Sequence, residues 1–538
     1  MNVPSTRGPK TIPQALERSV QQFWDREAIV CGAHRVTYAT LVDQVNSAAR
    51  AFLASGVAKG DRVAILAPNS ERWPVCSLAL ASIGAVLVPV NTRLKGPEIR
   101  HILRTSETSR IVVEEGFLGN SYVAMILDDE SPIDDRERLS DLEEIIVFAE
   151  ATRDGVTSFN EFLGRAAAVS DELLARAKAG VGPEDVSDII FTSGTTGRPK
   201  GAVLRHFQTV ALYTTWADIA GVQPGEGFLG VNPFFHCFGY KAGLLASVIK
   251  GATMLPVATF DAERTMQLIE AERASIVPGT PTLYISMLDH PERGRYDLSS
   301  LRVAVTGGSV VPTALLQRMR TELGFKTIIN AYGLTEACGY VTSCRQGDPD
   351  EVISKTSGRP VEGVEVRIVG TDGDTLPPGD VGEVFVRGYN LMAGYYKDAE
   401  NTAKAIDADG WLHTGDVGFQ DAAGNLTITD RTKDMFVIGG YNAYPAEIEQ
   451  VIMRHESVSD VAVIGVPDPR MGEVGRAYVV LRPDGHLSED ELIAFCRGRL
   501  ANYKVPRSLR VVDALPRTGT GKVDKVTLRV LASQESQN

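Results

Sequence analysis

A glycine-rich segment with one lysine is the part of the sequence best suited to bind phosphate. It spans residues 191–201, Phe-Thr-Ser-Gly-Thr-Thr-Gly-Arg-Pro-Lys-Gly, and comes directly after the apolar pair Ile189-Ile190. Glycines let a backbone approach a ligand closely, and successive N–H groups in such a turn form an anion site. Lys200 adds a positive charge, but the segment lacks the Gly-Lys-Ser/Thr ending of a Walker A loop. We therefore predict a phosphate-binding loop rather than a flexible linker.

Alternating helices and strands are expected to position this loop. Thr37 is a helix cap before a run of apolar residues at helical spacing, and residues 62–66 and 86–90 are predicted to be buried strands. A second alternating stretch runs from Asp188 to about Tyr332. Such alternation predicts mostly parallel sheets covered by helices. The acid-rich residues 128–144 are interpreted as a solvated surface segment.

Two further regions depart from this alternation. Residues 364–369 and 383–387 flank a Thr-Asp-Gly-Asp turn and indicate antiparallel strands in a small β unit. The sequence pattern changes again after residues 430–434, and the last hundred or so residues are predicted to form their own strands and a helix around 489–500. We predict an α/β protein with a large N-terminal region of two α/β subdomains plus a small β subdomain, and after it a small mobile α+β C-terminal domain.

Composition and charge restrict the class of protein. The 538 residues are 43% hydrophobic and carry a formal net charge of −13. This length predicts several domains, and the acidic balance argues against a nucleic-acid partner. The six cysteines are scattered without a Cys-x-x-Cys pair, which indicates reduced thiols in a cytoplasmic protein. We expect no signal peptide and no transmembrane segment, since the longest apolar stretch covers only residues 78–90.

The segment 191–201 resembles the signature loop of the adenylate-forming superfamily, which contains acyl-CoA synthetases, luciferases and peptide-synthetase adenylation domains. The resemblance extends through most of the chain. It implies an AMP-forming acyl-CoA synthetase that uses ATP, coenzyme A and Mg²⁺, forms an acyl-adenylate and releases pyrophosphate and then AMP. It also implies an N-terminal adenylation domain at residues 1–429, a hinge at 430–434 and a mobile C-terminal domain at 435–538.

The resemblance assigns nucleotide contacts to several motifs. The phosphate loop would hold the β- and γ-phosphates, Tyr332 would stack on adenine, and Asp416 would accept hydrogen bonds from the ribose. The ATP- or AMP-binding residues implied in this way are Thr192, Ser193, Gly194, Thr196, Gly197, Lys200, Gly308, Ser309, Ala331, Tyr332, Gly333, Thr335, Asp416 and Arg431.

Three residues would carry the chemistry implied by the resemblance: Thr195, Glu336 and Lys522. Attack of a carboxylate on the α-phosphate brings two anions together, so the site must supply positive charge. Lys522, in a Gly-Thr-Gly-Lys loop, would supply it, and Glu336 would hold Mg²⁺. Lys433 would be the hinge residue that lets Lys522 be delivered and withdrawn. Without the resemblance, Glu336 is interpreted as an exposed acid in a turn and Lys522 as a solvated lysine.

The acyl and CoA tunnel is expected around the aromatic segment 232–240 and several glycines. The residues that the resemblance implies are His236, Phe238, Gly307, Leu334, Gly439 and Gly440. A packed strand end, an ordinary turn and a hairpin are the structural alternatives for these positions. Lys241 is expected to meet a polar group of the substrate or to face water. Residues 232–246 are similar to bacterial ligases for the propionate side chains of degraded steroid rings, while fatty, aryl and terpenoid acids stay open.

Three other functions stay open at this stage. A stand-alone adenylation enzyme would load a carrier protein instead of CoA. A P-loop-like kinase would release ADP, and a non-catalytic protein would only bind nucleotide. The predicted partners are a small-molecule carboxylic acid, ATP and CoA, with a homodimer as a further option, and the expected role is in fatty acid and lipid metabolism.

Overall fold

The computed structural model describes residues 8–127, 139–150, 155–192, 199–307, 311–431, 434–438, 441–443, 445–468, 471–497, 499–500, 502–518 and 522–535. The chain forms two compact units. The first unit comprises Met1–Val366 and Val386–Leu412, and the second comprises Arg367–Phe385 and His413–Asn538. The domain bounds at residues 429 and 435 stay predictions.

The strands in the described ranges are numbered in chain order. They are β1 Glu27–Cys31, β2 His34–Thr37, β3 Arg62–Leu66, β4 Val86–Pro89, β5 Thr108–Val113, β6 Glu144–Val147, β7 Val156–Ser158, β8 Val186–Thr192, β9 Lys200–Arg205, β10 Gly227–Gly230, β11 Thr253–Pro256, β12 Ala274–Pro278, β13 Val303–Gly307, β14 Thr327–Tyr332, β15 Thr342–Ser343, β16 Arg359–Pro360, β17 Val364–Val369, β18 Gly382–Gly388, β19 Leu412–Gln420, β20 Leu426–Arg431, β21 Phe436–Ile438, β22 Tyr441–Ala443, β23 Val458–Asp468, β24 Gly472–Leu481 and β25 Ser508–Val511.

The helices are numbered in the same way. They are α1 Ile12–Phe23, α2 Tyr38–Ala54, α3 Arg72–Ser82, α4 Gly96–Thr105, α5 Tyr122–Leu127, α6 Phe159–Gly164, α7 Asp171–Ala179, α8 His206–Ala220, α9 Cys237–Gly239, α10 Ala246–Lys250, α11 Ala262–Glu272, α12 Pro281–Leu288, α13 Thr313–Thr321, α14 Asp350–Lys355, α15 Ala399–Ala405, α16 Pro445–Ile452, α17 Glu489–Arg497 and α18 Lys525–Glu535. A π-helical segment, Tyr240–Leu245, joins α9 to α10.

A seven-stranded sheet in the first unit carries the predicted phosphate loop. Its strand order is β7-β6-β5-β3-β4-β8-β9. The strands from β7 to β8 are parallel, and only β9 runs antiparallel to its neighbour. Helix α2 begins as predicted, because the Thr37 side chain accepts a hydrogen bond from the Thr40 N–H. The parallel sheet predicted from the βα alternation is confirmed.

The first unit also contains a nine-stranded sheet, in the order β16-β15-β14-β13-β12-β10-β11-β1-β2. Its centre is parallel, and the strands at both edges are antiparallel to their neighbours. Its buried core includes Tyr284, Met287 and Phe325. The chain therefore contributes its first two strands to a sheet whose other strands lie between residues 227 and 360.

The sequence-based boundary between the two α/β stretches is wrong in one respect. Asp188 is predicted to begin the second stretch, but β8 and β9 complete the seven-stranded sheet, with Leu87 of β4 opposite Asp188. The end of the acid-rich segment also differs, since Glu144–Val147 is strand β6 and lies inside that sheet. Residues 128–138 lie outside the described residues. Local patterning does not specify which distant strand will be the neighbour of β8.

The second unit holds most of a four-stranded sheet, in the order β17-β18-β19-β20, and a five-stranded sheet. In the five-stranded sheet, β23 and β24 form a long antiparallel pair, and β25 lies parallel to β24. Helices α16, α17 and α18 cover an apolar core that includes Ile448, Leu492 and Leu528. The small β subdomain and the α+β C-terminal region agree with the predicted fold class.

Candidate active site

Strands β8 and β9 form an antiparallel hairpin whose end is the predicted phosphate loop. Thr192 and Lys200 are register partners at that end, so both ends of the loop lie one strand spacing apart. The predicted loop residues outside the described residues are Ser193, Gly194, Thr195, Thr196 and Gly197. The hairpin thus fixes where the loop starts and ends, while the contacts of these five residues stay predictions.

Lys200 is held beside the loop by two neighbours that the sequence did not indicate. Its Nζ lies 2.7 Å from Asn401 Oδ1 and 5.3 Å from the centroid of the Tyr395 ring. Asn401 is in turn held by Asp398 through a 2.7 Å hydrogen bond from its Nδ2 to Oδ2. A cation beside an aromatic face and an amide oxygen is stabilised by both. The lysine is therefore oriented at the strand end and is not a freely rotating surface side chain.

Glu336 lies close to the same hairpin. It is half-buried on the short 3-10 helix Thr335–Ala337, and its Oε1 accepts hydrogen bonds from Tyr395 OH at 2.9 Å and from Thr192 Oγ1 at 3.4 Å. The Met392 N–H donates to the Glu336 carbonyl at 2.8 Å. Burial, with the charge of Glu336, raises the pKa of Tyr395, so its hydroxyl remains a donor at neutral pH. The structure brings Thr192, Lys200 and Glu336 together in one place.

Tyr395, like Asn401, is a residue at this site that sequence reasoning missed. The only local signal is a Tyr-Tyr pair after Gly394, which is also typical of a turn. In the structure, Ala202 and Tyr395 form a bridge, and the Tyr396 N–H donates to the Gly201 carbonyl at 2.8 Å. Because this segment pairs with β9 from about two hundred residues away, spacing along the chain could not reveal it.

The residues predicted to surround adenine lie at the ends of β13 and β14. Gly307 and Ala331 are register partners on these parallel strands, and the half-buried Tyr332 is opposite Thr342 of β15. Thr335 is buried one turn further on. Gly308 and Ser309 lie outside the described residues. Gly307, Ala331 and Tyr332 therefore lie together at the C-terminal ends of two neighbouring strands in the nine-stranded sheet.

We expect Gly333→Ala to destabilise the site, because a β-carbon has no room there. It would lie 2.2 Å from the Gly339 carbonyl oxygen, which is a backbone atom that cannot rotate away. The expected cost is about 1–3 kcal/mol of unfolding free energy, with weaker ATP binding. Chemical denaturation and ATP titration would measure both effects. Gly294→Ala is the matched control, since a β-carbon at Gly294 meets nothing within 4 Å. An unchanged Gly333→Ala protein would show that the turn at residues 332–339 adapts.

The aromatic segment proposed for the acyl tunnel forms a compact turn. His236 is exposed and caps α9, with its Nδ1 accepting from the Phe238 N–H at 3.2 Å. Phe238 and Leu334 are half-buried. A β-carbon on Gly239 would lie 2.1 Å from the Pro233 carbonyl oxygen, so the turn requires glycine. His236 thus has a structural role, and the tunnel assignment stays a prediction.

Lys241 fits neither of its two predicted environments. Its side chain is completely buried, and Nζ lies 2.9 Å from Oδ1 of Asp188, which is also completely buried. The residue therefore faces neither water nor an open pocket. The run of apolar residues after Lys241 gave no sign of this, because its partner lies on β8, more than fifty residues earlier.

The residues predicted to bind ribose lie in the second unit. Asp416 of β19 and Arg431 of β20 are register partners on adjacent antiparallel strands. Asp416 is buried, and its N–H donates to Thr414 Oγ1 at 3.0 Å. The Thr414 hydroxyl in turn donates to the Val384 carbonyl at 2.7 Å. The backbone positions of Asp416 and Arg431 are therefore fixed together by the sheet.

Lys522 lies in a loop whose base is closed by hydrogen bonds. The Thr518 N–H donates to the Lys522 carbonyl at 2.7 Å, and the Asp524 N–H donates to the Pro516 carbonyl at 2.8 Å. The Lys522 side chain is exposed. Lys433, Gly439 and Gly440 lie outside the described residues, although the pairing of Ile438 with Tyr441 makes the flanking strands β21 and β22 a hairpin. Their predicted roles stay predictions.

Comparison with known proteins establishes the family. Residues 16–396 match the model of the AMP-binding enzyme family, and residues 447–522 match the model of the AMP-binding enzyme C-terminal domain. The chain belongs to the AMP-binding enzyme family. This match confirms the resemblance found in the sequence. The AMP-binding enzyme is an acid–thiol ligase of the acyl-CoA synthetase class, which uses ATP and CoA.

Individual relatives match the enzyme over nearly its whole length. It is 48% identical to a 3-[(3aS,4S,7aS)-7a-methyl-1,5-dioxo-octahydro-1H-inden-4-yl]propanoyl:CoA ligase of Rhodococcus jostii, covering 97% of this chain and 99% of the relative. A ligase of the same name from Mycobacterium tuberculosis is 47% identical over the same shares of both chains. The crystal structure of the anthranilate CoA ligase AuaEII with anthranoyl-AMP is similar with a TM-score of 0.87, 28% identity and full coverage of both chains.

A helix that crosses a bilayer needs about 20 consecutive, mostly apolar residues. Among the helices of the described residues, none has both the length and the apolar character that crossing a bilayer requires.

Proposed function

We propose that this enzyme activates a propanoate side chain attached to a ketone-bearing fused ring system, and transfers the acyl group to CoA. The observation that carries the proposal is the similarity, at 48% and 47% identity across nearly the whole chain, to two ligases named for such an acid. The aromatic segment 232–240 and the half-buried Phe238 and Leu334 are consistent with a hydrophobic acid. Fatty, aryl and other alicyclic acids are the alternatives within the same reaction.

In the first half-reaction, a carboxylate oxygen of the acid attacks the α-phosphorus of ATP. A new P–O bond forms, the bond to the β-phosphate oxygen breaks, and pyrophosphate leaves. We propose that the loop containing Thr195 and Lys200 binds the β- and γ-phosphates. The α-phosphate and the attacking carboxylate are both anions, and the ammonium of Lys522 would stabilise their combined negative charge as they meet. Asp416 would accept hydrogen bonds from the ribose, and Tyr332 would stack on the adenine.

Mg²⁺ is proposed as the metal that accompanies ATP, and Glu336 is the residue that would hold it. The carboxylate is oriented by Tyr395 and Thr192 next to the phosphate-loop hairpin. Among the residues that the structure describes, no group of three or more His, Cys, Asp or Glu side chains could form a complete metal cage. One carboxylate combined with phosphate oxygens is an arrangement that Mg²⁺ commonly adopts. When bound, the ion would neutralise phosphate charge.

In the second half-reaction, the thiol sulfur of CoA attacks the carbonyl carbon of the adenylate. A C–S bond forms, the bond between the carbonyl carbon and the phosphate oxygen breaks, and AMP leaves while the thiol proton is lost to solvent. We propose that the C-terminal domain at residues 435–538 rotates about Lys433 between the two steps. The rotation would withdraw Lys522 and bring Gly439 and Gly440 to the pantetheine arm, with His236 gating the tunnel. Crystal structures with ATP and with CoA would test this, and identical domain positions in both would contradict it.

We expect the dione propanoate to be the best substrate in a panel of acids. The panel contains 3-(7a-methyl-1,5-dioxo-octahydroinden-4-yl)propanoate, cyclohexanepropanoate, octanoate and ferulate, and the assay is ATP–pyrophosphate exchange without CoA. The expected kcat/KM for the dione acid exceeds that for octanoate at least about tenfold, because a pocket shaped for the ring leaves a chain poorly packed. Adding CoA should then yield the thioester and AMP. A higher kcat/KM for octanoate or ferulate would contradict the proposed substrate while leaving the reaction class intact.

Loading of a carrier protein is not favoured, since the similar proteins are named as CoA ligases. Replacing CoA with a carrier protein in the same assay would detect it. A cytoplasmic location and a homodimer are further proposals, and all six cysteines are free thiols, which supports a reducing compartment. Cell fractionation and light scattering would test them, and a secreted or monomeric protein would contradict them.

A further inference from the structure

A completely buried ion pair lies behind the candidate active site. The ammonium of Lys241 and the carboxylate of Asp188 both have no exposed side-chain surface, and Nζ lies 2.9 Å from Oδ1 and 3.1 Å from Oδ2. Nζ also lies 2.8 Å from Thr209 Oγ1 and 3.5 Å from Cys338 Sγ. We call these four residues the Lys241 cluster. They come from the π-helical segment, β8, α8 and the turn directly after the 3-10 helix with Glu336.

The ammonium has no donor left for a substrate. A lysine has three N–H donors, and Asp188, Thr209 and Cys338 use all three. Burial alone would lower the pKa of Lys241, but Asp188 raises it above its usual value, so the group stays charged at neutral pH. Burial also raises the pKa of the Cys338 thiol, which therefore stays neutral. The hydrogen-bonding capacity of the ammonium is therefore used within the protein rather than on a ligand.

A buried ion pair of this kind is a poor means of stabilising a fold. Removing two charges from water costs about as much as their attraction returns, and apolar side chains of similar volume are often as stable or more stable. The pair does, however, fix the relative position of the segments it joins, because neither charge can be left without the other. Any function of the pair must therefore come from how it positions the segments that it joins.

The cluster and the active-site hydrogen bonds connect the same two segments at two points. At one end of β8, Thr192 Oγ1 donates to Glu336 Oε1 at 3.4 Å. Four residues earlier on β8, Asp188 holds Lys241, whose ammonium reaches Cys338, two residues after Glu336. Cys338 has a left-handed backbone with φ of +56°, and its carbonyl accepts from Tyr213 OH at 2.8 Å. The turn that carries Glu336 is thus connected to the phosphate-loop strand at two points, directly through Glu336 and by way of Lys241 through Cys338.

We propose that the Lys241 cluster positions Glu336 relative to the phosphate-loop strand, so that Lys241 and Asp188 are positioning residues for adenylation. The proposal rests on the proposed function, because it assigns Glu336 to the MgATP site. Loss of the cluster would leave the acid pocket and the phosphate loop in place but let the Glu336 turn move. Adenylation, the step that needs Mg²⁺, would then be slower, while the apparent affinity for the acid would stay the same.

The decisive variant is the double substitution Lys241→Met with Asp188→Leu, which removes both charges without leaving one buried alone. We expect the folded double variant to lose about thirtyfold in kcat for acid-dependent ATP–pyrophosphate exchange, since small misplacements of catalytic groups cost factors up to about a hundred. The Mg²⁺ concentration for half-maximal rate should rise about tenfold, whereas KM for the acid stays within about twofold. A folded double variant with kcat and Mg²⁺ dependence within about twofold of the parent would overturn the proposal.

Cys338→Ala decides the matter if the double variant does not fold. It removes the contacts of the Cys338 sulfur with the ammonium and with Thr209 Oγ1, and Cys76→Ala, which removes another completely buried thiol, is its control. We expect a rise of about threefold or more in the half-maximal Mg²⁺ concentration for Cys338→Ala and none for Cys76→Ala. Equal behaviour of the two would overturn the proposal. If the parent shows no exchange with any acid, the proposed function fails, and calorimetric binding of MgATP to the same variants decides the positioning role.

Discussion

Replacing Lys522 with alanine is expected to lower kcat for acid-dependent adenylation about 10²–10³-fold, the cost of losing one preorganised group that stabilises transition-state charge. The side chain is exposed, and the loop base is closed by the hydrogen bond from the Thr518 N–H to the Lys522 carbonyl, which alanine retains. The two hydrogen bonds at the loop base should therefore persist when the ammonium is removed. ATP–pyrophosphate exchange at saturating acid and ATP is the measurement.

Lys525→Ala provides the matched control, because Lys525 is a nearby lysine whose Nζ contacts Glu449 at 2.8 Å within the second unit. We expect its adenylation kcat to stay within about threefold, because the Lys525 ammonium is already paired with Glu449 and is not available to the α-phosphate. Transfer of the acyl group from a preformed adenylate to CoA should be nearly normal in Lys522→Ala. Unchanged exchange in Lys522→Ala would show that another cation stabilises the α-phosphate.

Replacing Glu336 with glutamine is expected to lower the adenylation kcat about a hundredfold and to raise the Mg²⁺ concentration needed for half-maximal rate. Glutamine keeps an oxygen that can accept from Tyr395 and Thr192, so the geometry of the turn should persist. What disappears is the negative charge that a hard cation prefers. Magnesium titrations of the exchange rate would separate the loss of metal affinity from any loss of fold.

Glu351→Gln is the control for this substitution. Glu351 lies on α14 of the same unit, is exposed, and pairs with Lys355 across one helical turn at 2.7 Å. Its kcat and magnesium dependence should match those of the parent enzyme, because exposed pairs of this kind contribute little. If Glu336→Gln behaves like Glu351→Gln, then Glu336 does not hold the metal.

Much of the local structure could be predicted from the sequence because it depends on neighbouring residues. Thr37 caps α2, and strand β3 has the bounds expected from its apolar run at residues 62–66. The pairing of Thr192 with Lys200 at the end of the β8–β9 hairpin is also local, while the nucleotide-binding roles of both residues stay predictions. Capping, strand periodicity and motif spacing all act within about ten residues.

The features that escaped prediction depend on contacts between distant segments. Strand β8 pairs with β4 about a hundred residues earlier, and Tyr395 reaches Glu336 from about sixty residues later. The sequence predicts that Lys241 meets substrate or water, but its partner on β8 could be identified only in three dimensions. A buried charge is costly enough that no local pattern predicts it, since the partner that offsets the cost must be known first.

The position of β1 in the nine-stranded sheet has a consequence for synthesis on the ribosome. Ile29 of β1 pairs in parallel with Met254 of β11, so the hairpin of β1 and β2 has no sheet to join until more than two hundred further residues have been made. At about 5–20 residues per second, this delay lasts roughly ten to fifty seconds. Throughout it, the apolar residues Ala28, Ile29 and Val30, which are buried in the finished protein, lie on an unpaired strand edge that other chains can contact. The nascent chain is therefore expected to need protection by chaperones for longest at this hairpin.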